Sequence, residues 1–452
     1  MSQEAVQENK MGTMPVNKLL ITMSIPMIIS MLVQAFYNVV DSIFVAQISE
    51  NALTAVSMAF PIQNLMIAVA TGTGVGVNAL LSKSLGEKNQ KLANKTANNS
   101  VFLAVMSYVA FLIFGLVGTE TFFRLQTDIP EIIEYGRNYL FICSVLSFGI
   151  FGQIAFDRLL QATGRTFYTM FTQGIGAVIN IVLDPILIFG LLGFPRMGVV
   201  GAALATVIGQ IIAMISSVLF NIKKNEDIHL EFKEIIHPDR SVIGRIYSVG
   251  IPSIIMASIS SVMTFCMNKI LIAFTPTATA VFGIYFKLQS FVFMPVFGMN
   301  NGLVPIVAYN FGARKRDRIM TAMKLGLVYA YGMLMIGFAL LQIFPETLLG
   351  FFNASEEMLE IGIPALKIIS TSYFLVPISI ICITMLQALG HGVYSMFISV
   401  GRQLVVLIPV AYVMATILGK LSMIWWAFPL AEFMSVALGF IFVRKVFKEL
   451  DF

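Results

Sequence analysis

The chain has 452 residues, of which 58% are hydrophobic and 12% charged, with a formal net charge of +5. A soluble domain carries roughly twice that share of charge, so a soluble globular fold is excluded. The basic residues lie in short stretches between long apolar runs, which argues against a nucleic-acid partner and makes the lipid bilayer the solvent.

The segment 1–17 is polar and lacks the apolar core of a cleavable signal peptide, so the first span is expected to direct insertion. A helical span needs about 20 apolar residues. Twelve runs qualify, at roughly 18–48, 52–83, 97–118, 130–161, 166–192, 197–222, 243–275, 278–309, 318–345, 358–388, 392–418 and 422–443. The fold class expected is therefore all-α and integral to the membrane. Pro26, Pro61, Pro185, Pro252, Pro295, Pro377 and Pro409 fall inside these runs and are the expected kinks.

Loop charge sets the orientation. Lysines and arginines follow spans 2, 6 and 8 and close the chain: Lys83 to Lys95, Lys223 to Arg245, Arg314 to Lys324, and Arg444 to Lys448. The alternate loops are acidic, with Glu120, Asp128, Glu131 and Glu134, then Glu346, Glu356, Glu357 and Glu360. The positive-inside rule places both termini in the cytoplasm.

The two halves align without a gap at an offset of 226 residues. Ile25 and Pro26 match Ile251 and Pro252; Gly72, Gly76 and Gly86 match Gly298, Gly302 and Gly312; Leu160-Gln161-Ala162 matches Leu386-Gln387-Ala388. Six spans per half make this a parallel repeat. The expected organisation is a cytoplasmic segment 1–17, an N-lobe 18–222, a linker 223–240 and a C-lobe 241–452, the lobes being pseudo-symmetric six-helix bundles around a V-shaped central cavity.

Polar residues inside the spans carry the functional expectations. A carboxylate at membrane depth marks a functional site by default. At 1.5 Å of rise per residue, Asp41, Asp184 and Thr206 all come to lie roughly 10–13 Å from the outer ends of spans 1, 5 and 6. Asn180 precedes Asp184 by one turn, on the same face. Two adjacent carboxylates cannot both ionise cheaply, so one retains a proton, or a Na⁺ sits between them with the Asn and Thr oxygens completing the cage. The coupling ion is H⁺ or Na⁺, and no cofactor or further metal is expected. At the repeat offset, Asp41, Asn180 and Asp184 become Met267, Val406 and Val410, so coupling belongs to the N-lobe. Thr206 becomes Glu432, which is expected to pair with Lys287 in a C-lobe polar network that also takes in Lys269 and Arg402; Arg402 either snorkels to the cytoplasm or lines the cavity floor.

Gln34, Tyr37, Asn38 and Asp41 form one polar stripe on span 1, which is expected to face the cavity. Gln153 and Asp157 form an i, i+4 pair on span 4; Asp157 either meets a cationic substrate or pairs with Arg158 or Arg165. Cys143, Cys266 and Cys382 read as small buried hydrophobes, and the three histidines lack metal-ligand spacing.

With Tyr37-Asn38-Val39-Val40-Asp41, Leu160-Gln161-Ala162-Thr163-Gly164, Asn180-Ile181-Val182-Leu183-Asp184-Pro185 and Gly198-Val199-Val200-Gly201, the chain resembles the multidrug and toxic compound extrusion (MATE) transporters, in their prokaryotic DinF-like branch. The resemblance covers about residues 15–448. It implies twelve helices in two bundles, and efflux of amphipathic organic cations by antiport with H⁺ or Na⁺. It also implies that Asp41, Asn180, Asp184 and Thr206 form the cation site. Two departures stand out: the family usually has Asn at the position of Asp157, and spans 7 and 10 lack the acids of the NorM-like branch. The partners expected are small-molecule drugs or metabolites, acting on a monomer. An alternative is a lipid-linked oligosaccharide flippase of the same superfamily, although such a carrier would line its cavity with more Arg and Lys. A membrane enzyme would need paired metal-binding acids or a His cluster, and neither pattern occurs.

Overall fold

The computed structural model describes residues 9–352 and 354–450, so the first eight residues of the expected N-terminal segment and the last two of the C-lobe lie outside it. The described residues form helices and contain no strand. Helix α1 is Lys10–Thr13, followed by α2 (Val16–Ala46), α3 (Glu50–Gly86), α4 (Gln90–Val117), α5 (Thr119–Arg124), α6 (Pro130–Val145), α7 (Phe148–Ala162), α8 (Thr166–Phe189), α9 (Val199–Lys224) and α10 (Phe232–Ile236). The second half has α11 (Arg240–Ile272), α12 (Pro276–Gly312), α13 (Arg316–Ile343), α14 (Pro345–Gly350), α15 (Glu356–Ser370), α16 (Val376–Ala388), α17 (Gly392–Val400), α18 (Ile408–Val413), α19 (Leu421–Ile424) and α20 (Ala427–Val446).

Among the described residues ten helices are long and apolar enough to cross a membrane, and two bent pairs, each taken as one span, bring the number to the twelve expected from the hydropathy. The bent pairs are α6 with α7, at 44°, and α15 with α16, at 48°. Sequence reading drew each as one span. Pro377 stands at the start of α16 and accounts for the second break, since the ring removes a backbone donor. The first break, at Leu146 and Ser147, has no proline. The helices continue through Pro26, Pro61, Pro185, Pro252 and Pro295. Two π-helical stretches, Gly401–Leu407 and Met414–Leu418, flank α18.

The chain divides into two compact units, residues 29–250 (the N unit) and residues 1–28 with 251–452 (the C unit). The boundaries thus cut through α2 and α11 rather than falling at the linker. Glycines at matching repeat positions make room for the crossing segments. A Cβ on Gly298 would lie 2.6 Å from the Ile28 Cα, and one on Gly302 would lie 2.9 Å from the Ser24 Oγ. In the N unit, a Cβ on Gly76 would lie 2.0 Å from the Ile246 carbonyl oxygen, a distance no side chain tolerates. Each unit therefore holds the first part of a long helix in a notch lined by its own glycines.

The linker 223–240 is bound to the N unit rather than loose. Asn98 Nδ2 donates to the His229 carbonyl (3.2 Å), the Glu231 N–H donates to Asn98 Oδ1 (2.9 Å), and the Asp239 N–H donates to Asn99 Oδ1 (2.9 Å). Lys95 Nζ and Asp239 form an ion pair at 2.7 Å. The hydrogen bond and charge of Asp239 raise the Lys95 amine above its ordinary value, and Lys95 with the Ser241 N–H lowers the Asp239 carboxyl. Arg165 pairs with Asp227 and donates from Nε to the Lys224 carbonyl at 2.6 Å. The end of the N unit that carries this linker is called its basic end below.

Candidate cation-coupling site

The site is built where α2, α3, α6, α8 and α9 of the N unit converge. Helix α8 stops at Gly190, whose φ of +74° suits a residue without Cβ. It packs tightly on α9: a Cβ on Gly201 would lie 2.6 Å from the Leu187 backbone, and one on Gly209 would lie 2.7 Å from the Gly176 carbonyl. These two notches bracket Thr206 on α9 and set it against α8. Asn180 Nδ2 there donates to Thr206 Oγ1 at 3.2 Å. That contact turns the Asn180 carbonyl oxygen away from Thr206.

Asp184 lies one turn further along α8 and is fully buried, while Asn180 is nearly so. The Asp41 and Asp184 carboxyls, from α2 and α8, act directly on one another through side-chain contact and charge. The depth argument thus expected residues that the structure does bring together. Both carboxylate oxygens of Asp184, Oδ1 of Asp41 and Oδ1 of Asn180 are buried and have no donor. Buried polar atoms in native proteins are nearly always partnered. A cluster of acceptors without donors is suited to a shared proton or to a small hard cation held by carboxylate, amide and hydroxyl oxygens.

Four more residues join the site. Tyr37, one turn before Asp41 on α2, acts electrostatically with Asp41, Asp184 and Cys143. Its place on the expected substrate stripe therefore brings it to the acid pair. Gln63 on α3 donates to the Tyr139 hydroxyl at 3.2 Å and to the Cys143 sulfur at 3.8 Å, both on α6. Cys143 is buried, as expected, but it also accepts a hydrogen bond. Gln63, Tyr139 and Cys143 were missed as site residues. The available signal was Gln63, a polar side chain two residues after Pro61 in an apolar run.

The remaining polar residues separate. Gln34 is half-buried and Asn38 is exposed on α2; Gln153 is half-buried on α7. Asp157 is enclosed, 2% exposed, and accepts from Thr172, Ser217 and Gln173. Arg165 is held by Asp227 and Lys224 instead. In the C unit, the expected pairing of Glu432 with Lys287 and Lys269 does not form. Arg402 Nη1 donates to Glu432 Oε1 at 3.0 Å, and Ser379 Oγ donates to Oε2 at 3.1 Å. Lys287 and Lys269 are exposed and lie over the rings of Phe352 (5.8 Å) and Phe265 (5.0 Å). Equal depth along a helix leaves the direction of the side chain open, and these lysines point elsewhere. Tyr285, fully buried, acts electrostatically with Glu432, Arg402 and Tyr373 and completes the C-unit cluster.

Comparison with known proteins places the fold. The multidrug export protein MepA of Staphylococcus haemolyticus is 26% identical over 409 residues, covering 90% of this chain and 89% of that protein. MepA of a Staphylococcus aureus strain is 25% identical over 416 residues, covering 91% and 90%. Among solved structures, MATE in complex with MaL6 superposes with a TM-score of 0.91 at 25% identity, covering 99% of both chains. The outward-facing conformation of a multidrug resistance MATE family transporter of the MOP superfamily gives the same TM-score, identity and coverage. The MatE family model matches residues 26–186 and again 252–413, once in each half of the repeat, and the chain therefore belongs to the MatE family of multi-pass membrane transporters.

Proposed function

We propose that the protein is a secondary transporter that exports amphipathic, mostly cationic organic compounds, drugs among them, in exchange for H⁺ or Na⁺. It works in the bacterial cytoplasmic membrane with its basic end in the cytoplasm, in keeping with the loop charges. Coupling runs through Asp41 and Asp184, assisted by Asn180 and Thr206. The observation that carries this reading is the group of buried oxygens without donors at the meeting point of two carboxylates. Such a group is stable when it holds a cation or a proton, and emptying it changes the fit of α2 against α8. Export of drugs is supported by the names of the MepA relatives.

The test is counterflow of cationic dyes in proteoliposomes under an imposed pH or sodium gradient. Gradient-driven transport is expected in the wild type and not in Asp41→Asn or Asp184→Asn. Full gradient-driven transport by both variants overturns the coupling role. A second reading, transport of an anionic amphiphile, draws support from Lys269 and Lys287, which are exposed and have no acid partner among the described residues. An anionic lipid added as competitor separates the two, since only that reading has it displace bound dye through charge.

A further inference from the structure

A polar column continues from the acid pair through the N unit to its basic end. It follows one face of α8, where Asp184, Asn180, Gly176, Thr172 and Thr169 recur at steps of three and four. All five are buried. At its lower end is Asp157 of α7, whose Oδ1 accepts from Thr172 Oγ1 (2.7 Å) and Ser217 Oγ (2.8 Å), and whose Oδ2 accepts from Gln173 Nε2 (3.3 Å). Beyond Ser217 the column passes along α9. Asn221 Nδ2 donates to the Ser217 carbonyl, and Asn225 Nδ2 donates to Asn221 Oδ1, each at 2.9 Å. Asn225 caps α9 at the basic end.

Two features distinguish this column from ordinary packing. Gln173 Oε1, Asn180 Oδ1 and Asn225 Oδ1 are buried acceptors without a donor, spaced along it. Gln173 and Asn180 are seven residues apart, about 10 Å along the helix. Gly176 between them is closed over by Gly209 and Ala213 of α9, and the residue that shares the flank of Gln173 and Asn180 is Ala177, which adds only a methyl. Acceptors in this position are what bridging water needs. The second feature is the charge around Asp157. Its partners from α8 and α9 are neutral, and α3 and α4 present no charged group to it among the described residues. The charged group acting on it is Arg158, next to it on α7. Arg158 lies across Gly74, where a Cβ would come within 2.6 Å of its Cγ, and donates to Gln161 Oε1 at 3.0 Å.

We infer that Asp157 is a second proton carrier: it takes up the proton that leaves the Asp41–Asp184 pair and passes it to the basic end of the N unit. The inference rests on the coupling role given above to that pair. The shared proton of the pair moves over water bound at Asn180 and Gln173 to the Asp157 carboxylate. It leaves past Ser217 and Asn225, and Arg158 balances the carboxylate charge that remains. No bond other than the O–H bonds in transit is made or broken. The Asp–Pro pair of α8 and the carrier Asp157 then form a relay of the kind that carboxylate chains provide in membrane proton pathways.

The experiment uses full-length protein in proteoliposomes with ethidium as the cationic probe. Two rates are read, pH-gradient-driven transport and ethidium exchange at equal pH on both sides. Asp157→Asn is expected to lower the driven rate by about 100-fold, as loss of a proton-transfer group does, while exchange persists. Asp157→Glu is expected to restore most of the driven rate. Gln173→Leu, which replaces the unpartnered acceptor, is expected to slow driven transport and spare exchange, and it serves if Asp157→Asn does not fold. Full driven transport in Asp157→Asn overturns the relay and leaves the acid pair in place. Loss of exchange together with drive in both Asp157→Asn and Gln173→Leu also overturns it, and assigns the column to the fold. A wild type driven by sodium alone overturns the relay but not the acid pair. Driven transport in Asp41→Asn and Asp184→Asn overturns the coupling reading itself.

Discussion

In the N unit both oxygens of Asp184 and Oδ1 of Asp41 are left without a donor, whereas the C unit gives Glu432 a guanidinium and a hydroxyl. The two sites occupy related parts of a repeat, since Thr206 of the first matches Glu432 of the second. Asp41 is matched by Met267, which is fully buried. A carboxylate hydrogen-bonded to a guanidinium is a fixed element of the fold, because separating a buried ion pair is costly. A carboxylate pair lacking donors is free to bind and release a cation, because its missing partner comes from outside the protein.

The largest effect that sharpens this contrast is on transport. Asp184→Asn is expected to abolish gradient-driven dye movement in proteoliposomes, with a melting temperature equal to or above that of the wild type, because the substitution supplies an amide donor among unpartnered acceptors. A matching loss of stability would make the N-unit site structural, like its counterpart. In the C unit the expectation reverses. Arg402→Met should cost about 3 kcal/mol by leaving Glu432 unpaired, and Arg402→Met with Glu432→Leu should recover most of that. Thermal unfolding in detergent reads both, and transport should survive in the double variant. A double variant as unstable as the single one would mean that the pair does more than satisfy itself.

A smaller effect concerns the notches. Gly76→Ala places a Cβ against the Ile246 carbonyl and should cost about 1–3 kcal/mol. Gly244→Ala, with nothing within 4 Å, should be neutral in the same melting assay. The smallest effect is at the exposed Lys95–Asp239 contact. The Asp239 carboxyl is held below its ordinary value, so its contribution is present above the usual carboxylate range and is lost as pH falls through the lowered value. Proteolysis of the linker should therefore accelerate below about pH 4, and Lys95→Ala should weaken that pH dependence, the Ser241 N–H remaining.

The acid pair was legible in the sequence because a carboxylate in an apolar helix is rare, and because helical rise converts residue number into depth. Depth says nothing about direction around the helix axis, which is why Lys287 was matched to Glu432 while Arg402 was the partner. Arg402 lies in a π-helical stretch, where the 3.6-residue count that places side chains on a face does not hold. Asp157 was expected to meet a substrate or to pair with Arg158 or Arg165, whereas its hydrogen-bond partners are neutral and come from α8 and α9, far off in sequence. The repeat glycines were visible as a pattern, but their use as notches for α2 and α11 depends on contacts that no local signal encodes. The break between α6 and α7 lacks the proline that marks its counterpart.

The division of α2 at residue 28 has a consequence for biosynthesis. Residues 29–250 form one unbroken stretch, so the N unit has all of its parts once the linker and the start of α11 have been made. The C unit needs residues 251–452 and also the first 28. Chains fold from the N-terminus as they are synthesised. Here the front of α2, made early, must wait for Gly298 and Gly302 of α12 before it finds its place, so a chain stalled or truncated before α12 leaves it without its glycine notch and open to quality control.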